Sequence, residues 1–394
     1  MDVFIAGTGA VCAAGIGSDL CAEAVRRGAD FLKPWTIPAI PAVFSPLCAE
    51  VPCETDLLTG REGLYRTLAL ALAAASEAML ALTDRYDLRC EVVTATTVGG
   101  ISRTEQAYGA YRQDPEAITT LAVESAVHEP AVLSSEICRS INGCGFHTVS
   151  TACSSSLHAI GMAKRLIERE CCDACLVVGA DALCITTVRG FGSLTLLDPK
   201  GCRPFDRDRA GISLGEGAGA LLLVSSRVLD KVPITPLAQI GGWGASSDCY
   251  HMTAPHPQGT GAKAAMSAAL DETGIAPEDI DCILAHGTGT PDNDRAEIAA
   301  ARSLFDPLPP FCSVKRTLGH TLAASGILES VVAVHMLRDG FIPPTGGFSN
   351  IDEEIGVSPA ASCEKPLRTI IKNAFGFGGN NASLVLCRPG YNIS

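Results

Sequence analysis

The stretch that decides the fold is Ser150-Thr151-Ala152-Cys153-Ser154-Ser155-Ser156, followed by the helical pattern Leu157 to Ile167. A turn-rich lead gives way to a run of small hydroxyl residues and then to apolar residues at helical spacing, which predicts a helix opening just after a cysteine. A thiol there lies at the positive end of a helix dipole, among N–H groups without intrahelical partners. That setting is expected to favour the thiolate, and the same N–H groups suit an oxyanion. Read alone, Cys153 is equally a small core thiol before a buried helix, because the 394-residue chain holds 18 cysteines.

Working outward, short apolar strands alternate with helices. Strands are expected at Val3–Ala6, Glu91–Val98 and Cys175–Val178, with a buried Ala/Leu helix over Leu68–Leu82. The theme restarts after Asp230-Lys231-Val232-Pro233, the best candidate linker. There the pattern gives strands at Ile234–Gly241, Cys282–Ala285, Ile370-Ile371 and Leu384–Leu386, and helices at Gly261–Thr273, Arg295–Leu304 and Thr321–Leu337. Such alternation argues an α/β fold with helices on both sheet faces. The boundary divides the chain into halves 1–232 and 233–394, similar in architecture without an obvious sequence repeat. Residues 113–135 read as an excursion, a lid or a dimer arm.

Composition narrows the functional classes. With 47% apolar and 19% charged residues and 5% aromatics, the chain has ample aliphatic side chains for a core. A net charge of −13 speaks against a simple nucleic-acid binder. There is no signal-like N-terminus and no apolar stretch of membrane-spanning length, so a cytoplasmic protein with reduced thiols is expected. The single C-x-x-C, Cys172 to Cys175, has no second pair to complete a metal set, and no metal is expected. Most of the thiols read as interior filler.

Two motifs mislead. Gly7-Thr8-Gly9 resembles the start of a dinucleotide fingerprint, but Cys12 stands where the third glycine belongs. Gly211-Ile212-Ser213-Leu214-Gly215 has the letters of a hydrolase elbow. Its context is reversed, with a charged stretch before it and a strand-like run after it.

The second half offers partners for Cys153. His286 opens His286-Gly287-Thr288-Gly289-Thr290-Pro291 at a strand end. Lys315 and His320 lie in Ser313-Val314-Lys315-Arg316-Thr317-Leu318-Gly319-His320, before an apolar helix. Asn373-Ala374-Phe375-Gly376-Phe377-Gly378-Gly379-Asn380-Asn381 is a glycine loop where backbone can approach a ligand. A pseudo-two-fold arrangement would bring these helix starts and loops to one centre.

Together, TACSSS, HGTGTP, SVKRTLGH and NAFGFGGNN, with Arg203-Pro204-Phe205-Asp206 and Gly215-Glu216-Gly217-Ala218-Gly219, resemble the β-ketoacyl-[acyl-carrier-protein] synthases, in order from residue 1 to about 390. The resemblance implies a thiolase-like fold: two pseudo-symmetric α/β halves forming a five-layered αβαβα core. Two histidines with a lysine resemble the elongating members, since starter-unit synthases use Cys, His and Asn and degradative thiolases carry a second cysteine.

It further implies Cys153 as nucleophile, His286 and His320 as donors to an enolate, and Lys315 as an electrostatic neighbour. Phe377 is implied as oxyanion donor and gate, with Thr288 and Thr290 on a phosphopantetheine arm. Phe375 and Thr104 would contact substrate, Thr104 through the tract Gly99 to Thr104, expected along the acyl pocket. Glu297 and Asp294 would support the site. The implied partners are an acyl carrier protein, docked through Arg61, Arg66, Arg203 and Arg207, and a second subunit, identical or homologous. No cofactor is implied beyond the arm that arrives on the carrier. The expected reaction is decarboxylative condensation in fatty acid or related chain elongation. A specialised polyketide or aryl-polyene synthase, and a non-catalytic subunit of a heterodimer, are the alternatives.

Overall fold

The computed structural model describes residues 1–35, 45–52, 64–82 and 88–391. Its first strand, β1 (Val3–Cys12), is longer than the sequence pattern suggests and runs straight through Gly7-Thr8-Gly9. Those glycines are strand interior, not a phosphate turn. A Cβ on Gly7 would lie 2.1 Å from the Ala78 carbonyl oxygen, and one on Gly9 2.0 Å from that of Ala74. They let helix α1 (Arg66–Ala78) lie directly on the strand backbone.

Four further strands extend this half of the main sheet: β2 (Cys90–Ala95), β3 (Gly145–Val149), β4 (Ala174–Asp181) and β5 (Gly217–Ser225). The second half contributes β6 (Ala238–Ser247), β7 (Cys282–Leu284), β8 (Phe311–Cys312), β9 (Thr369–Gly376) and β10 (Asn380–Cys387). From the centre outward the orders are β1-β5-β4-β2-β3 and β6-β10-β9-β7-β8. Counted in chain order within each half, both read first, fifth, fourth, second, third. The pairs β2–β3, β2–β4, β7–β8 and β7–β9 are parallel. The halves join through β1 and β6, antiparallel with Val3 opposite Ile240.

Five layers result. Helices α1 and α2 (Pro130–Ile141) cover the outer face of the first sheet half, and α4 (Thr260–Thr273) and α5 (Pro291–Arg302) lie outside the second. Between the sheets lie α3 (Ser155–Glu168) and α6 (Ser325–Asp339), each touching strands of both halves. A helix enclosed on all sides must be apolar all round. Accordingly α6 is buried continuously from Ser325 to Leu337. This is the thiolase-like α/β fold.

Several boundaries differ from the sequence pattern. The strand expected from Ile234 begins at Ala238, because residues 226–229 form a helical turn and the chain then crosses to the second half. The helix expected from Thr321 starts at Ser325 after a 3-10 turn, Leu322–Ala324, in which Leu322 has φ 52°. Residues 113–135 are helical: Ile118–Glu124 stands between 3-10 turns and leads into α2. The described cysteines are free and most are buried, as expected, while Cys144, Cys171, Cys249 and Cys363 are exposed.

Candidate active site

The candidate residues converge where the parallel strands end, the edge at which open α/β sheets present their sites. The segment after β3 carries Cys153, that after β7 carries His286, that after β8 carries Lys315 and His320, and that after β9 carries Phe377. Ala152 holds φ 53°, a conformation unusual for a residue with a Cβ. This sharp turn presents Cys153 immediately before α3. Gly376 backs the turn: a Cβ there would lie 2.9 Å from Thr151 O and 3.2 Å from Cys153 N.

Two cavities meet at the thiol. One, about 320 Å³, is lined by Cys153, His286, His320, Thr288, Thr290, Phe375 and Phe377, among others. The other, about 460 Å³, is lined largely by apolar groups including Val98, Leu194 and Leu322, with the hydroxyl residues Thr97, Thr187 and Ser193. Cys153, Phe191 and Phe377 border both cavities. The two phenyl rings stand 5.6 Å apart between them, so their rotamers set the width of the passage.

The electrostatics reverse one expectation. Burial pushes the Cys153 thiol up to about 11, while Lys315, the Phe377 N–H and its own backbone N–H pull it down. In this dry pocket the desolvation of a thiolate outweighs the helix-start dipole, so the resting group is the thiol. The histidine rings are 5.5 Å apart, centre to centre. Both are held well below the usual imidazole range, first by burial and then by Lys315, with Lys372 adding to the effect. His320 Nδ1 accepts the Leu322 N–H at 3.2 Å and stands 3.0 Å from Ser325 Oγ. With its lone pair engaged there, the neutral ring carries its proton on Nε2. His286 Nδ1 is buried and has no hydrogen-bond partner.

Supporting carboxylates hold the loops. Glu297 accepts the backbone N–H groups of His286 and Gly287 at 2.8 and 2.9 Å and the Asn373 amide at 3.1 Å. Asp294 accepts from the Phe205 N–H at 2.7 Å and the Gly289 N–H at 3.2 Å, and burial raises it to about 6. Asp181 bonds Thr96, Thr97, Val98 and the Ala323 N–H, tying the end of β4 to the turn after His320. Lys315 is ion-paired with Glu329, itself paired with Lys372 at 2.6 Å.

The sequence pattern missed Asp181, Glu329 and Lys372. Glu329 and Lys372 each carried a signal, a single charge inside an otherwise apolar helix or strand, which must find a partner if buried.

Other expected site residues fall elsewhere. Thr104 lies on the helix Ile101–Gln113 and lines neither cavity; its hydroxyl is buried without a partner. Val98 and Thr97 line the apolar cavity in its stead, because the chain turns away at Gly99 into that helix. Arg61 lies outside the described residues. Arg66 grips Glu216, with Nε 2.9 Å from Oε2, and donates to Val51 O at 2.7 Å. Arg203 pairs with Asp198 at 3.0 Å. Both arginines anchor buried carboxylates, so charge reversal at either would disturb the local fold as well as any docking role. Arg207 is exposed, with its Nε 3.5 Å from Asp208 Oδ1.

Comparison with known proteins agrees with this architecture. Residues 63–227 match the β-ketoacyl synthase N-terminal domain and residues 237–349 the β-ketoacyl synthase C-terminal domain. Nodulation protein E of Rhizobium meliloti (strain 1021) is 32% identical over 97% of this chain and 98% of its own length. The 3-oxoacyl-[acyl-carrier-protein] synthase 2 of Coxiella burnetii is 35% identical over 76% of this chain and 75% of its own. Among solved structures, the ishigamide ketosynthase/chain length factor superposes with a TM-score of 0.91 at 30% identity, covering 99% of both chains. A ketosynthase in complex with its chain length factor from Xenorhabdus doucetiae gives 0.82 at 30% identity, covering 98% of both chains. With the fold, the cavities at Cys153 and relatives matched over nearly the whole length in agreement, the chain belongs to the β-ketoacyl synthase family of acyl-transferring condensing enzymes.

Proposed function

We propose that this chain catalyses decarboxylative condensation of a Cys153-bound acyl group with a malonyl-[acyl-carrier-protein]. The supporting observation is the position of one thiol at the meeting point of an apolar cavity and a cavity bearing two neutral histidines. In the first half-reaction the Cys153 sulfur displaces the carrier thiol from an acyl thioester. The thiol proton leaves with the carrier sulfur, and the acyl chain enters the apolar cavity. The N–H groups of Cys153 and Phe377 hold the tetrahedral oxyanion.

In the second half-reaction the arm of malonyl-carrier runs past Thr288 and Thr290. Loss of carbon dioxide leaves an enolate whose oxygen receives hydrogen bonds from ring N–H groups of His286 and His320. Neutral rings suit this task, because an imidazolium would protonate the carbanion instead of stabilising it. The carbanion attacks the Cys153 thioester and expels the sulfur, which takes up one proton. The products are a 3-oxoacyl-carrier, carbon dioxide and free Cys153. Lys315 acts as an electrostatic neighbour. The pantetheine arm comes with the substrate, and no further cofactor enters. Carrier docking would use exposed Arg207, and the functional unit would be a dimer with an identical or homologous chain.

The experiment is incubation with acyl-carrier followed by intact-mass measurement. The acyl mass should appear on the protein and vanish in Cys153→Ala, and addition of malonyl-carrier should then release 3-oxoacyl-carrier. Absence of the adduct in the intact protein would instead support a non-catalytic subunit.

A second reading is a specialised polyketide or polyene synthase working beside a chain length factor. The likeness to two ketosynthase/chain length factor structures favours it, as do the hydroxyls of Thr97, Thr187 and Ser193 in the acyl cavity. Competing saturated against polyunsaturated acyl-carriers, with products read by mass spectrometry, separates the two.

A further inference from the structure

The two site histidines are held in different ways. His320 Nδ1 accepts the Leu322 N–H at 3.2 Å. His286 Nδ1 is buried without a hydrogen-bond partner among the described residues. A bond on the far ring nitrogen is the common device for aiming a histidine. His286 lacks it, so its ring direction is set by its backbone and by the rings beside it, His320 at 5.5 Å and Phe375 at 5.9 Å between centres.

That backbone forms a turn tied from two sides. Ser313 Oγ donates to the Gly287 carbonyl at 2.7 Å. Glu297 Oε1 accepts the His286 N–H at 2.8 Å, and Oε2 accepts the Gly287 N–H at 2.9 Å. Glu297 is 1% exposed, and a carboxylate so buried needs donors to stay charged. Two of its donors belong to the turn itself. The third is the Asn373 amide on β9, with Nδ2 3.1 Å from Oε1.

Asn373 is wholly buried, on the strand face that carries Ile371 and Phe375 into an apolar cluster with Met266. An apolar side chain would fill that place without the cost of burying an amide. The amide is also oriented. Asn373 stands opposite Ser383 of β10, whose hydroxyl donates to Asn373 Oδ1 at 2.8 Å. That bond engages the amide oxygen and turns the NH2 group toward Glu297.

We propose that Asn373 is a positioning residue for His286: oriented by Ser383, it completes the donors of Glu297, which fixes the turn that aims the His286 ring into the cavity at Cys153. The inference deepens the proposed function and rests on the role given there to His286. Asn373 lines neither cavity, so its influence on the substrate runs through Glu297.

The test measures two half-reactions of the intact chain: malonyl-carrier decarboxylation, read as acetyl-carrier by mass spectrometry, and acylation of Cys153, read as intact mass. Asn373→Leu nearly keeps the volume and removes the donor. It should lower kcat for decarboxylation about tenfold or more, leave KM for malonyl-carrier unchanged and leave acylation close to wild type. Parallel loss of both half-reactions, or decarboxylation at the wild-type rate, overturns the inference. In a double-mutant cycle, Asn373→Leu should add little to Glu297→Gln, the pair staying within about twofold of Glu297→Gln alone. Independent losses that multiply overturn the inference as well.

If Asn373→Leu does not fold, as judged by circular dichroism, Ser383→Ala gives the test, because it removes the orienting hydroxyl and leaves the amide. Decarboxylation should then fall about fivefold with acylation unchanged, and an unchanged decarboxylation rate overturns the inference. His286→Ala is the control. A wild type that neither acylates nor decarboxylates, or a His286→Ala variant that decarboxylates at the wild-type rate, overturns the proposed function instead.

Discussion

At the scale of the residue, Cys153, the proposed nucleophile, rests as the thiol. With burial holding its thiol at about 11, the thiolate fraction rises tenfold per pH unit throughout the working range. Alkylation of the Cys153 peptide by iodoacetamide, followed by mass spectrometry to separate it from the exposed thiols, should therefore climb without a plateau up to pH 9. A plateau near pH 7 would show that the helix-start dipole outweighs desolvation after all.

The histidines carry the complementary prediction. Replacing His320 by Ala removes the proposed donor, whose tautomer is fixed by the Leu322 N–H, and should slow malonyl-carrier decarboxylation by about 10²-fold or more. Acylation of Cys153, which needs neither ring as a donor, should suffer far less. In wild type both rings are held below 6.5, so lowering the pH through 6.5 leaves them neutral. The acid limb of decarboxylation is accordingly expected below that value, measured as rate against pH at saturating substrate.

At the scale of the element, close approach of backbones governs tolerance. Strand β1 accepts α1 only because Gly7 and Gly9 have no Cβ. Gly9→Val should force the helix off the strand and cost at least about 1–3 kcal/mol, read from urea unfolding followed by circular dichroism. An unchanged midpoint would mean that the helix–strand contact is looser than described. Arg66 braces the start of the same helix against Glu216, which also holds the Val51 and Leu183 N–H groups. Arg66→Ala leaves that carboxylate buried without its cation. The expected loss is about 3 kcal/mol, detectable on the isolated protein with no carrier present. A variant as stable as wild type would return Arg66 to the list of docking groups.

At the scale of the whole molecule, two sheet halves with one strand order bring Cys153 from the first half and His286, His320 and Phe377 from the second to one cavity. The overall charge of −13 would repel an acidic partner, so the proposed carrier docking would depend on local positive groups. Arg207→Glu should raise the KM for carrier-bound substrate several-fold while leaving kcat and reactions of small acyl thioesters unchanged, with a weaker salt dependence than wild type. An unaltered KM would remove Arg207 from the docking surface.

Much of this was legible in the chain. Period and alternation marked the strands and helices, and the thiol before a helix start, His286 at a strand end and His320 before a helix followed from local pattern. Elements whose ends depend on crossing between halves were misread: β6 starts four residues late and α6 is delayed by a 3-10 turn, since both boundaries answer to packing and not to propensity.

Sequence by itself determined the order of elements, the residue types able to do the chemistry, and a composition able to bury a five-layered core. These are local properties, set by side-chain size, polarity and spacing. Only the tertiary structure decided the protonation of Cys153, the neutrality of the histidines, the structural ties of Arg66 and Arg203, and the triad of Lys315, Glu329 and Lys372. Those depend on desolvation and on charges brought together from distant parts of the chain, and neither quantity exists until the layers close.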